Sequence, residues 1–351
     1  MGHMVSAPLP STDFWSGKRV FITGHTGFKG GWLALWLSKL GAVVHGYALP
    51  PDTDPNFFTL CQVDTKLLHQ TGDVRDSVVL AKAIHDFKPD IVFHLAAQAL
   101  VRASYAQPLE TYATNIMGTA FLLDAAAKAP SVKLVMVVTS DKIYAEGPDA
   151  HTETAPLGGR DPYSASKAAA ELIAASFPTS VKIATLRAGN VIGGGDWSSD
   201  RLIPDFFRAA LANDTLHLRN PSAIRPWQHV LDALCGYLLA AEHMWHGAAG
   251  RDAWNFGPNT ESEAGVETVI ARLGAFWPGA CYEVSPQADA PHEAPVLRLD
   301  AQKARRELAW RPRWLLEEAL AFTAKWYRAW QDDAAMDTIS LSQIETYCQH
   351  D

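Results

Sequence analysis

Tyr163 and Lys167 stand four residues apart in Asp161-Pro162-Tyr163-Ser164-Ala165-Ser166-Lys167, which places both side chains on one face of a helix. A free phenol, with a pKa of about 10, is no base at neutral pH. An ammonium beside it favours the phenolate and makes it competent to take a hydroxyl proton. A surface Tyr–Lys pair has the same spacing, so the pair gains meaning only from its company. Upstream, Thr139-Ser140-Asp141-Lys142 follows a valine-rich run and offers a hydroxyl, a carboxyl and an amine together. An Asp–Lys ion pair at a strand end would look the same.

The second constellation is Gly24-His25-Thr26-Gly27-Phe28-Lys29-Gly30-Gly31, directly after the apolar run Arg19–Thr23. Its Gly-x-x-Gly-x-x-Gly spacing suits a strand-to-helix turn that cradles a dinucleotide pyrophosphate. Gly24 makes the tight turn, Gly27 admits the phosphates to backbone N–H groups, and Gly30 lets helix and strand pack closely. A glycine turn without a ligand is the bland alternative. NAD is the expected cofactor, although spacing does not decide between NAD and NADP. The acid expected at the end of the second strand is absent, Gly46-Tyr47-Ala48-Leu49 standing there, and no arginine lies close by to take a 2′-phosphate. Asp73 and Val74, ending the third strand, are candidates for the adenine, with a solvated loop acid as the alternative for Asp73.

Strand-like and helix-like periods alternate through the first half and hold these groups. Strands are expected over Arg19–Thr23, Ala42–Val44, His69–Val74, Asp90–Leu95, Lys133–Thr139 and Lys182–Leu186. Helices are expected over Trp32–Leu40, Asp76–Phe87, Leu109–Lys128 and Tyr163–Ala175. Continuously apolar strands between helices predict an α/β fold with a doubly wound parallel (Rossmann) sheet. Its ligands lie at the carboxyl ends of the strands. The boundaries are a dinucleotide-binding domain over 14–190 and a smaller, mainly substrate-binding region over 191–330, some of whose segments return to the core. A weakly patterned tail follows over 331–351, and Met1-Gly2-His3-Met4 reads as a cloning scar.

Composition narrows the class. Of 351 residues 48% are hydrophobic and 19% charged, enough for a substantial core. With 30 Lys and Arg against 38 Asp and Glu, the net charge of −8 argues against nucleic acid or an anionic membrane as partner. Cys61, Cys235, Cys281 and Cys348 are too scattered for a disulfide framework or a zinc site, so no metal and a reducing, cytoplasmic setting are expected. No apolar run reaches the roughly 18 residues of a membrane helix.

The glycine turn, the Tyr–Lys pair and the Ser140-Asp141-Lys142 strand end resemble the extended short-chain dehydrogenase/reductases that act on sugar nucleotides. Within them the chain resembles the CDP-glucose 4,6-dehydratases. The likeness continues through Ala96-Ala97-Gln98-Ala99-Leu100-Val101-Arg102, Arg187-Ala188-Gly189-Asn190-Val191-Ile192-Gly193-Gly194-Gly195-Asp196-Trp197, Ile224-Arg225-Pro226-Trp227-Gln228-His229 and Trp254-Asn255-Phe256-Gly257-Pro258-Asn259. Ile143 departs from the cysteine often found there.

The resemblance implies a redox-neutral cycle on an NDP-hexose, CDP-glucose by the narrower likeness. Tyr163 takes the 4-hydroxyl proton, Ser140 hydrogen-bonds the 4-oxygen, and Asp141 is the acid at C6. The dTDP-glucose relatives place a glutamate base where Lys142 stands. Lys142 serves the C5 step here, either as a base with lowered pKa or as a cation on the enolate while another group takes the proton. For NAD the resemblance implies Gly24, Thr26, Gly27, Phe28, Lys29, Gly30, Asp73, Val74, Leu95, Ala96, Ala97, Asn115, Thr139, Tyr163 and Lys167. For the sugar nucleotide it implies Gln98, Arg102, Ser104, Asn190, Arg201, Arg225, His292 and Glu293. Two other readings share the turn and the Tyr–Lys pair: an epimerase or ketoreductase of the same scaffold, and a non-catalytic NAD-binding module. A homodimer is expected, because the helices near Leu109 and Tyr163 carry apolar or small residues on more than one face, among them Ala120, Leu122, Leu123, Ala125, Ala126, Ala168, Ala169 and Leu172.

Overall fold

The computed structural model describes residues 7–147, 149–247, 250–285 and 296–350. Six strands of the first half are β1 (Arg19–Thr23), β2 (Val43–Ala48), β3 (Leu68–Thr71), β4 (Ile91–His94), β5 (Leu134–Val138) and β6 (Lys182–Ala188). A seventh, Arg251–Phe256, joins from the second half. The sheet order is Arg251–Phe256, β6, β5, β4, β1, β2, β3, and every pairing is parallel. The doubly wound expectation holds. β1, β4 and β5 are apolar nearly throughout because both faces of the sheet are covered.

The strand order reverses between β1 and β4, which opens a crevice at their carboxyl ends. Gly24 follows one of these strands and Leu95 to Ala97 the other. Helix Phe28–Lys39 buries nearly its whole surface, including Trp32 and Trp36. Helix Val230–His246 covers the same side of the sheet and packs against β5 and β6. Both belong to the larger core cluster. Helices Ser77–Phe87 and Gly118–Lys128 cover the other face.

Helix Pro162–Ser176 starts where its sequence dictates. Asp161 caps it by accepting from the Ser164 amide at 2.9 Å, and Pro162 occupies the first turn, where no amide donor is needed. The expected helix Leu109–Lys128 is continuous from Pro108, with π-helical geometry over Ala113–Met117.

The C-terminal segment differs from its weak pattern. Met336–Gln349 is a helix whose inner side buries Met336, Ser340, Gln343, Ile344 and Tyr347. Two of these five are polar, so apolar periodicity fades although the spacing is helical. Ser340 accepts from Trp326 Nε1 at 2.9 Å, Gln343 donates to the Phe322 carbonyl at 2.9 Å, and Tyr347 donates to Asp232 at 2.9 Å. Among the described residues no helix is long and apolar enough to cross a membrane.

Candidate active site

The glycine turn closes as a phosphate cradle must. Gly24 has φ +79°, and a Cβ there would stand 2.6 Å from the Ala96 amide nitrogen. A Cβ on Gly30 would stand 2.1 Å from the Gly24 carbonyl oxygen, so only glycine fits at either position. Gly27 is exposed and caps helix Phe28–Lys39 without a side chain, leaving the first amides open to an anion. Thr26 fixes the turn by donating to the Leu49 carbonyl at 2.9 Å. Leu95 and Ala96 are tied to Thr23 at 3.1 and 3.2 Å, so both sides of the crevice are rigid. These features fit a dinucleotide pyrophosphate.

Asp73, the candidate adenine contact, already has a protein partner. Its carboxylate is held by Arg75, Nη2 to Oδ2 at 2.6 Å, and this bonding keeps its pKa below the usual carboxylate range. An arginine does therefore lie at this edge, brought there by the pairing of β3 with β2, but its guanidinium is engaged by Asp73 and Glu110. Val74 is buried against the position of Gly118.

The catalytic candidates converge at the end of β5. Ser140 caps the single turn Asp141–Ile143, accepting from the Lys142 amide at 3.2 Å and donating to Asp141 Oδ1 at 3.0 Å. Asp141 Oδ2 is buried and has no hydrogen-bond partner among the described residues. Tyr163 is buried on the facing helix. Burial pushes its phenol above the ordinary value, while hydrogen bonding to Ser140 and the nearby Arg201 charge pull it back. Burial therefore outweighs the cationic help expected from the Tyr–Lys spacing, and Arg201 is the foremost cation acting on the phenol. Lys167 donates to the Val138 carbonyl at 3.0 Å. Burial lowers its pKa to about 8 against the opposing pull of Glu171. Lys142 is partly exposed, and its side chain makes no hydrogen bond or ion pair to the described residues.

Lys29 reaches the same cluster from the glycine turn. Burial lowers its pKa to about 7, aided by Arg201 and Lys167 and opposed by Asp141 and Asp196. Arg201 is paired with Asp196, Nη1 to Oδ2 at 2.9 Å. Asn115, in the π-helical turn, is buried and bonds both the amide and the carbonyl of Gln98, at 2.8 and 2.9 Å, and also Ser166 at 2.8 Å. Thr139 donates to Glu171.

Several substrate candidates have other partners in this structure. Gln98 bonds Leu100 and Thr111 through its amide. Ser104 is fully buried, accepting from the Tyr163 amide at 3.1 Å and donating to Val101 at 2.6 Å, so it holds the start of helix Pro162–Ser176. Arg102 lies 3.6 Å from Asp200, which also binds Arg219 at 3.1 Å. Asn190 begins a short strand, Asn190–Ile192, paired in parallel with Ile224–His229. That second strand carries the buried Arg225. His292 and Glu293 lie outside the described residues. The reading of the sequence passed over Asp196, Glu171 and the side chain of Arg187. Two signals were there: Glu171 repeats the Tyr163–Lys167 interval, and Arg187 is a charge inside an apolar strand.

A family model described as GDP-mannose 4,6-dehydratase matches residues 21–323. The chain belongs to the GDP-mannose 4,6-dehydratase family. A CDP-glucose 4,6-dehydratase of Salmonella typhimurium is 46% identical over 349 residues, 95% of this chain and 97% of the relative. A dTDP-glucose 4,6-dehydratase of Neisseria gonorrhoeae is 28% identical, covering 88% of this chain and 95% of the relative. Among solved structures, DesIV of Streptomyces venezuelae, a dTDP-glucose 4,6-dehydratase with NAD and TYD bound, superposes with a TM-score of 0.77. It is 25% identical and covers 90% of this chain and 98% of its own. A UDP-glucose 4-epimerase of Stenotrophomonas maltophila, at 24% identity, superposes with a TM-score of 0.80 over 90% of this chain and the whole of its own, a likeness of fold. This GDP-mannose 4,6-dehydratase family member thus shares its length as well as its fold with dehydratases.

Proposed function

We propose that the chain catalyses the 4,6-dehydration of a nucleoside-diphosphate hexose, CDP-glucose above others, with NAD held throughout the turnover. The observation that carries this reading is the buried, half-partnered Asp141 carboxylate beside Ser140 and Tyr163. A simple 4-epimerase or ketoreductase has no use for an acid at that position. The 46% identity to the Salmonella CDP-glucose enzyme supports CDP-glucose as the substrate.

NAD would supply a hydride acceptor at C4 of the sugar and a donor at C6. The glycine turn and the amides of helix Phe28–Lys39 would hold its pyrophosphate, and Lys167 its nicotinamide ribose. Tyr163 takes the C4 hydroxyl proton as that carbon is oxidised, and Ser140 hydrogen-bonds the oxygen. The ketone acidifies C5–H. Asp141 gives a proton to the C6 oxygen, which leaves as water while the C5 proton passes to the Lys142 amine or, where that amine is already protonated, to another base at the site. Lys142 serves that step, as base when its amine is free or as a cation beside the enolate when it is charged. Arg201, Arg225, Arg102 and Asn190 are the candidates for contact with a diphosphate, which the arginines would have to reach from their present partners.

The domain division is read in the same way: 14–190 binds the dinucleotide and 191–330 mainly the sugar nucleotide. Exposed apolar residues on two adjacent helices support a homodimer. The deciding experiment is mass analysis of products from CDP-glucose, dTDP-glucose and GDP-mannose. Loss of one water without net NADH is expected, fastest with CDP-glucose. A product of unchanged mass, or stoichiometric NADH, would overturn the assignment.

A further inference from the structure

Glu171 lies one turn beyond Lys167 on the same helix and is almost wholly buried. Its carboxylate is enclosed by donors. Arg187 of β6 bonds it twice, Nε to Oε1 at 3.0 Å and Nη2 to Oε2 at 2.7 Å, and Thr139 donates to Oε1. Nη1 of the same guanidinium donates to the Tyr144 hydroxyl at 2.7 Å and to the Glu153 carbonyl at 2.9 Å. Tyr144 in turn donates to Asn255 Oδ1 at 2.6 Å. One carboxylate thus fastens the helix of Tyr163 and Lys167 to the ends of β5, β6 and the seventh strand.

A buried ion pair is a poor device for stability, because an apolar pair of similar volume often does as well. Its position beside Lys167 offers another account. The Lys167 ammonium has one hydrogen-bond acceptor, the neutral Val138 carbonyl. Three titratable groups from the surrounding elements act on it or are acted on by it. His94 of β4 is buried and neutral, its pKa lowered to about 3. Lys29, from the helix after the glycine turn, is of like charge. Glu171 is the carboxylate that opposes the burial of Lys167.

We propose that Glu171 is a positioning residue for the reaction: locked by Arg187 and Thr139, its fixed charge keeps Lys167 protonated at the depth where Tyr163 works. The inference rests on the catalytic assignment of Lys167 made above.

The test replaces Glu171 by Gln, alone and together with Arg187→Met, so that the double variant leaves no unpaired guanidinium buried. Lys167 ionisation is followed by NMR of isotope-labelled lysine, its signal assigned by its loss in Lys167→Met, and kcat/KM is measured against pH. In Glu171→Gln the Lys167 titration is expected to move down by about one pH unit or more, and in the double variant, which removes both charges of the pair, to move in the same direction by less. The alkaline limb of the rate profile should follow, with roughly tenfold loss at pH 8. Glu171→Asp, which keeps the charge, should restore both. An unmoved Lys167 titration in the folded Gln variants would overturn the inference. A moved titration with an unmoved rate profile would leave the hold of Glu171 on Lys167 standing and refute the catalytic assignment of Lys167.

Discussion

The ammonium of Lys167 donates to the carbonyl of Val138 at 3.0 Å, joining the catalytic helix to the last residue of β5. Ser140 and Asp141 follow Val138 after Thr139, and Tyr163 lies one turn before Lys167. That bond, with the donation of Thr139 to Glu171, ties the helix of Tyr163 to the strand end that carries Ser140 and Asp141. The candidate groups are positioned by the sheet rather than by surface loops, which favours precise geometry.

The Lys142 side chain has no hydrogen-bond or ion-pair partner among the described residues, as the proposed C5 role requires. Lys142→Ala is expected to suppress exchange of the C5 hydrogen with solvent by about 100-fold or more, while C4 oxidation stays measurable in a single turnover. Deuterium incorporation at C5 checks this. Exchange at the wild-type rate would remove Lys142 from the C5 step.

Gly30→Ala places a methyl group 2.1 Å from the Gly24 carbonyl oxygen, a backbone atom that cannot swing aside. The turn must open or the helix must lift, at a cost of roughly 1–3 kcal/mol. Dinucleotide affinity should fall at least tenfold, by calorimetric titration, with a lowered Tm. Gly27→Ala meets only the Gly24 oxygen at 3.5 Å, so its stability should change little.

Asp232 is buried, accepting from the Arg313 amide at 2.7 Å and from Tyr347 at 2.9 Å, while Oδ2 has no partner. Burial raises its pKa to about 7 against those hydrogen bonds. A carboxyl raised in the folded state favours folding fully below its unfolded pKa of about 4, and that contribution disappears as pH rises to 7. Asp232→Asn should remove this dependence. The variant should match or trail the wild type at pH 5 and gain stability relative to it at pH 8, by up to roughly 2–4 kcal/mol. Thermal unfolding at the two pH values decides. An identical Tm difference at both would show that Asp232 does not titrate in this range.

Leu109, Met117 and Leu172 are 80, 47 and 60% exposed on helices that pack side by side, whereas Leu122, Leu123, Ala125, Ala126 and Ala168 point into the chain's own core. An apolar face of this kind suits a second copy. Leu109→Arg with Leu172→Arg should convert a dimer to a monomer in analytical ultracentrifugation. A wild-type chain that sediments as a monomer at micromolar concentration would refute the dimer.

The glycine turn and the catalytic helix were readable in the chain because their determinants are local. Gly24, Gly27 and Gly30 act through backbone geometry over seven residues, and Asp161-Pro162 starts a helix wherever it lies. The C-terminal helix was less visible because its seam uses Ser340 and Gln343, whose partners Trp326 and Phe322 lie on the preceding helix. Glu171 and Arg187, sixteen residues apart, gain meaning only when β6 is laid beside the catalytic helix.

Residue type and spacing alone determined the doubly wound sheet and the glycine turn, and singled out Tyr163 and Lys167 as candidates, with Ser140 and Asp141 added by the family resemblance. Folding decided their partners and surroundings: that Tyr163 is buried, that Arg75 binds Asp73, and that one oxygen of Asp141 has no donor among the described residues. The reason is physical. A backbone turn is set by its own few residues, whereas a pKa or an ion pair depends on burial and on charges that only the assembled core brings together.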